Sequence, residues 1–189
     1  MPRQVDHDQR RAQITDAVLR IAAHRGLGEV TMTEVATEAG VSRGRIQHYF
    51  GSKEQLLLHT GRRLRDRVTA RLLPDPPTGD PRRTLTLLLH ATLPATEQAR
   101  VDALAGKALF TVALGIPELR DQYRQGITGL HTLIADLLVH AGADPDRAPL
   151  RARTLLGLAE HLGDALLIDE VTAARARDLL TDQVAASLP

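Results

Sequence analysis

Residues 30–57, VTMTEVATEAGVSRGRIQHYFGSKEQLL, decide the reading of this chain. Three helix starts are marked inside the stretch. Thr31 and Glu34 form a capping-box pair, and Val30 with Val35 fits a hydrophobic staple. Gly40 ends that helix, Ser42 caps the next, and Val41 with Ile46 repeats the staple. After Gly51, Ser52 and Gln55 make a second box. The middle helix, Arg43 to Phe50, is too short to be held by its own propensity. Ile46 and Phe50 lie four apart and face a core, while Arg43, Arg45 and Gln47 point away. A short basic helix pinned against two others is what entry into a DNA major groove requires.

The residue types suit that task. Arginine bonds guanine bidentately at O6 and N7, and glutamine does the same to adenine, each pair worth about 1–3 kcal/mol of discrimination. Gly44 lets the helix approach the duplex closely, and His48 adds a further DNA contact. The unpaired amides at the starts of the three helices suit phosphates. Thr31, Thr33, Ser42, Tyr49 and Lys53 supply side-chain donors beside them, and such contacts set register, not sequence. Arg3, Arg10 and Arg11 are expected to form an arm along the backbone or minor groove.

Outward from this stretch the chain reads as helix. Before it, Ile14, Ala17, Val18, Ile21 and Ala22 make one apolar stripe on a helix over 10–25, closed by Gly26 as a left-handed cap. After it, a fourth helix runs from Lys53 to about Leu73, with Leu57, Leu64, Val68 and Leu72 inward. Its arginines, Arg62, Arg63, Arg65, Arg67 and Arg71, form a solvated outer face, and Gly61 offers a point of flexion. Residues 74–81, PDPPTGDP, make a loop and a domain boundary. Further helices are predicted over 82–94, 97–114, 117–141, 146–168 and 172–187. The fold class is therefore all-α with about nine helices, divided into 1–52, a connecting helix 53–73, and 74–189.

Charge and composition narrow the partners. Residues 1–73 carry 13 Arg and Lys against 8 Asp and Glu, a net +5; residues 74–189 carry 11 against 15, a net −4. Only the front of the chain is built to meet a polyanion. Cysteine is absent, which removes disulfides and thiolate metal sites. No apolar run reaches the roughly 20 residues of a membrane span. With no secretory leader pattern, the expected location is the cytoplasm. The three serines, at 42, 52 and 187, lie in no nucleophile elbow, and neither a zinc-protease nor a phosphate-loop pattern occurs. No catalytic residue, metal site or cofactor is assigned. His161 and Asp164, one turn apart, lack a third ligand.

Thr31, Ala39-Gly40-Val41-Ser42, His48-Tyr49-Phe50 and Ser52-Lys53-Glu54 together resemble the DNA-binding segment of TetR-family transcriptional regulators. The resemblance implies an N-terminal three-helix helix-turn-helix domain followed by a helical ligand-binding and dimerisation domain. It implies phosphate contacts from Tyr49 and Lys53 and base readers among residues 43 to 48. Arg45 and Gln47 depart from the small and aromatic residues frequent in the family, so a different half-site is expected, one containing guanine.

The same resemblance implies a homodimer on a near-palindromic double-stranded operator, released by a small-molecule effector through a shift between two dimer populations. Leu155, Leu158, Ala159, Leu162, Leu166, Leu180 and Val184 are the candidate dimer interface. His90, Phe110, Tyr123, His131 and His161 are the candidates for lining an effector pocket. The helix from Lys53 is the expected coupling element. The alternative is a DNA-binding regulator without small-molecule ligand, controlled by a protein partner.

Overall fold

The computed structural model describes residues 2–72 and 79–189, with side chains from residue 7 onward. Among them are nine α-helices and no strand. These are α1 Pro2–Arg25, α2 Met32–Ala39, α3 Arg43–Phe50, α4 Lys53–Leu72, α5 Pro81–Thr92, α6 Glu97–Ala113, α7 Pro117–His140, α8 Ala148–Leu167 and α9 Ala173–Ala186. The loop expected over 74–81 lies largely outside the described residues. From Asp80 onward it is visible as a cap: the Asp80 carboxylate accepts from the Arg82 and Arg83 amides, at 2.9 and 3.3 Å, ahead of Pro81 in the first turn.

Helix α1 corrects the sequence reading. It begins at Pro2, not near Arg10, so Arg3, Arg10 and Arg11 sit on a helix and not in an extended arm. Proline is tolerated in a first turn, where its missing N–H has no partner to lose. Arg10 bonds Gln13 at 2.9 Å on the same helix; the Arg3 side chain lies outside the described residues. Gly26 has a positive φ of 81° but an extended ψ of 166°, so it opens a short 3-10 turn, Leu27–Glu29, in place of the expected left-handed cap.

The chain packs as two compact units. Unit 1 holds residues 1–67 and 101–124; unit 2 holds 68–100 and 125–189. This differs from the division read in the sequence, since residues 101–124 fall with the N-terminal helices. Ala105 and Leu109 of α6 belong to the same buried cluster as Ile14, Val18 and Ile21 of α1 and Ile46 and Phe50 of α3.

Within unit 1, α4 is gripped along its length. A Cβ placed on Gly61 would come within 2.8 Å of Leu119 Cδ1, so this glycine permits close approach to α7 and is not a free hinge. One turn away, Gln122 lies between the Leu58 carbonyl and Arg62 Nε, and with its amide oriented to suit both neighbours it donates to the first and accepts from the second, each at 3.2 Å. The arginine face predicted to be solvated is partly a clamp. Arg63 grips Asp16 of α1 with Nε and Nη2 at 3.0 and 3.1 Å. Arg67 reaches Asp16 at 3.3 Å and the buried Asp102 of α6 at 2.6 Å. The Asp16 hydrogen bond, opposed by burial and helped by nearby carboxylates, raises the Arg63 guanidinium above its ordinary value.

Unit 2 has an apolar core of Leu85, Leu88 and Leu89 from α5, Ile134 and Leu138 from α7, and the inner faces of α8 and α9. The break expected near Asp169 is a left-handed turn. Asp169 has φ 58°, and the Asp169 and Glu170 amides close back on the Leu166 and Ala165 carbonyls at 3.3 and 2.9 Å.

Candidate nucleic-acid interface

Every start in the 30–57 stretch is capped as its residues demand. Thr31 Oγ1 accepts from the Glu34 amide at 3.1 Å, Ser42 Oγ from Arg45 at 3.2 Å, and Ser52 Oγ from Gln55 at 3.1 Å. The Glu34 carboxylate goes elsewhere: it pairs with Arg25 of α1 at 2.9 Å. Arg20 and Glu38 make a second α1–α2 bridge at 2.7 Å, and Gln13 donates to the Ala39 carbonyl at 2.8 Å. The turn between α2 and α3 is set by Gly40 in the left-handed region, φ 64° and ψ 35°. Its amide bonds Thr37 O at 3.2 Å and the Val41 amide bonds Ala36 O at 3.0 Å, the paired bonds of a Schellman motif.

These contacts present α3 with its back buried and its front open. Ile46 and Phe50 are 0% and 4% exposed. Arg43, Gly44, Arg45, Gln47 and His48 are exposed, Tyr49 is half-buried, and Thr31, Thr33, Ser42 and Lys53 are exposed around them. Among the described residues, the Arg43 and Arg45 side chains have no ion pair or hydrogen bond, so both guanidinium forks stand unused. Gln47 differs: its side-chain amide donates to the Gly51 carbonyl and closes the end of α3. Its expected role as an adenine reader competes with this bond. One residue that the pattern did not single out joins the group. His7 of α1 packs against Tyr49 with ring centroids 4.4 Å apart.

Residues 14–60 match the family model for bacterial regulatory proteins of the tetR family. The HTH-type transcriptional regulator PksA of Bacillus subtilis is 29% identical over 184 residues, covering 94% of this chain and 88% of PksA. A transcriptional regulator from Rhodococcus sp. Rha1 superposes with TM-score 0.86 at 27% identity, covering 94% of this chain and 95% of that one. A second, from Saccharomonospora viridis and solved in complex with choline, gives TM-score 0.80 at 26% identity, covering 94% and 96%.

The chain belongs to the TetR family. It is a helix-turn-helix, DNA-binding transcriptional regulator. Among the described residues, no helix is long and apolar enough to cross a membrane.

In this TetR-family regulator the residues assigned to effector and dimer are placed as follows. Phe110 and Tyr123 belong to unit 1, both exposed, with ring centroids 5.0 Å apart. His90, His131 and His161 belong to unit 2. His90 already bridges α5 to α9, its Nε2 lying 3.0 Å from both the Arg177 carbonyl and Thr181 Oγ1, and His161 is on an exposed face of α8. Leu155, Ala159, Leu162, Leu166, Leu180 and Val184 are buried in the protomer's own core, and Leu158 is half-buried. A leucine stripe does not say whether its cover is another helix of the same chain or of a partner. Exposed instead are Leu150 of α8 and Ile168 just past its end, 69% and 73% exposed, with Gly157 of α8 also open.

Proposed function

We propose that this regulator binds a near-palindromic operator as a homodimer in the cytoplasm, each protomer laying α3 in a major groove. The observation that carries the reading is the pair Arg43 and Arg45, exposed and unpartnered among the described residues on a helix whose back is buried. Two arginine forks held this way suit guanine O6 and N7. Arg45 and Arg43 are the base readers, and Gln47 keeps its cap on Gly51. Thr31, Thr33, Ser42, Tyr49 and Lys53 bond phosphates. The capping hydroxyls accept from the helix amides and still have an O–H to donate.

Dimerisation uses α8 and α9, through the outer α8 face that the protomer's core leaves uncovered. Reading two successive major grooves requires the two α3 helices of such a dimer to stand about 34–36 Å apart, one duplex turn. Repression is relieved by a small molecule bound in the helical part of the chain, which favours a dimer with the two helices wrongly spaced. The related S. viridis regulator solved with choline supports a small organic effector.

Recovery of the protected duplex from genomic fragments tests this reading. Two inverted half-sites with centres about 10 bp apart are expected. A protected site without symmetry, or a specific complex containing one protomer, overturns it. For the effector, a metabolite panel read by thermal shift should find a compound that stabilises by about 2.7 kcal/mol at 100 times its Kd and releases the duplex. Stabilisation without release would overturn the relief mechanism.

A further inference from the structure

We propose that His7 is a further DNA-contact residue, carrying the phosphate-binding surface of α3 onto the first turns of α1. The proposal rests on the docking of α3 described above. Helix α1 begins at Pro2, so His7 is held on a formed helix and not on a loose arm. Its ring meets Tyr49 at 4.4 Å and His48 at 6.4 Å, and His48 meets Tyr49 at 5.6 Å, all in edge-on geometry. Three rings with polar edges thus gather where the first turns of α1 meet the end of α3.

The polar atoms of this cluster are unclaimed. Among the described residues, no hydrogen bond reaches the His7 or His48 ring nitrogens or the Tyr49 hydroxyl. The contrast is His59, which packs edge-on to Phe50 at 5.4 Å on the same segment. Its Nδ1 is 2.9 Å from the Gln55 carbonyl, so it is satisfied inside the protein. His7 and His48 pack their rings as His59 does but leave their nitrogens for a partner outside. His7 is only half-buried, beside a tyrosine placed for phosphate contact. An imidazole keeps at least one N–H in either tautomer, and a phosphate oxygen accepts it whatever the sequence. His7 therefore adds affinity and not specificity.

The test is fluorescence-anisotropy titration of the wild type, His7→Phe and His7→Ala. The duplexes are one selected by the wild type from a random library and one of scrambled sequence. His7→Phe keeps the ring against Tyr49 and removes the N–H, so a folding defect is not confused with a lost contact. The loss of one bond to a charged acceptor is expected to weaken binding roughly tenfold, equally on both duplexes. His7→Phe binding like wild type while His7→Ala binds poorly would assign His7 to packing alone and overturn the proposal. Loss confined to the selected duplex would overturn it in favour of base reading. A wild type that selects no duplex would instead remove the docking of α3 itself, which is a distinguishable failure.

Discussion

Arginine does different work in the two units. In unit 1 it pairs with carboxylates across helices: Arg20 with Glu38, Arg25 with Glu34, Arg63 and Arg67 with Asp16, and Arg67 with Asp102. In unit 2 several arginines reach across to carbonyls near helix ends, beside a local pair of Arg147 with Asp144 at 3.9 Å. Arg100 donates to the Leu166 and Leu167 carbonyls of α8 at 3.1 and 3.3 Å, Arg151 to Ser187 O after α9 at 2.9 Å, and Arg71 to Ala91 O in α5 at 3.2 Å. A guanidinium at a helix C-terminus satisfies orphan carbonyls and meets the negative end of the dipole. A third kind is seen in α3, where Arg43 and Arg45 have neither partner among the described residues. An arginine tied to a protein group is architecture. One left open on a braced helix is available to a ligand.

Four substitutions sharpen or break this comparison, the largest effect first. Arg67→Met keeps the apolar stem but withdraws the cation from Asp102, whose side chain is 2% exposed. Losing the Arg67 contacts to Asp16 and to the buried Asp102 together is expected to cost about 3 kcal/mol, read by urea denaturation. A loss under about 1 kcal/mol would mean the clamp is a surface ornament. Arg45→Ala should cost about 2 kcal/mol of operator binding, with little change on scrambled duplex or in Tm. Equal losses on both duplexes would move Arg45 from base reading to backbone contact.

Arg100→Met, in the second class, should destabilise by about 1.5 kcal/mol through the freed α8 carbonyls. If it matches Arg67→Met, the distinction between the two units has no energetic content. Lys53→Ala should weaken binding to every duplex and make the salt dependence shallower by about one released ion. An unchanged slope would place the Lys53 ammonium away from phosphate.

The helices of this chain were legible because their punctuation is local. Thr31, Ser42 and Ser52 act within three residues of themselves, and the caps they form need no knowledge of the rest of the fold. The front of α3 was legible for the same reason: Ile46 and Phe50 set the buried side, and the arginines follow by periodicity. What was misread depended on distant neighbours. The arginines of α4 read as solvated because Asp16 and Asp102 lie 47 and 35 positions away in sequence from Arg63 and Arg67. Gly61 read as flexible because nothing nearby in sequence announces Leu119. His7 was passed over because the first nine residues lack an apolar stripe, though α1 extends through them.

By itself the sequence determined the all-helical class, the starts of α2, α3 and α4, and the open face of α3. These follow from capping and from the 3.6-residue period, which act within a turn or two. Only the tertiary structure decided which charges are paired, which leucines the protomer covers for itself, and that residues 101–124 pack with the N-terminal helices. Ion pairs and core contacts are made between residues tens of positions apart, and a one-dimensional pattern records the side chains without recording whom they meet.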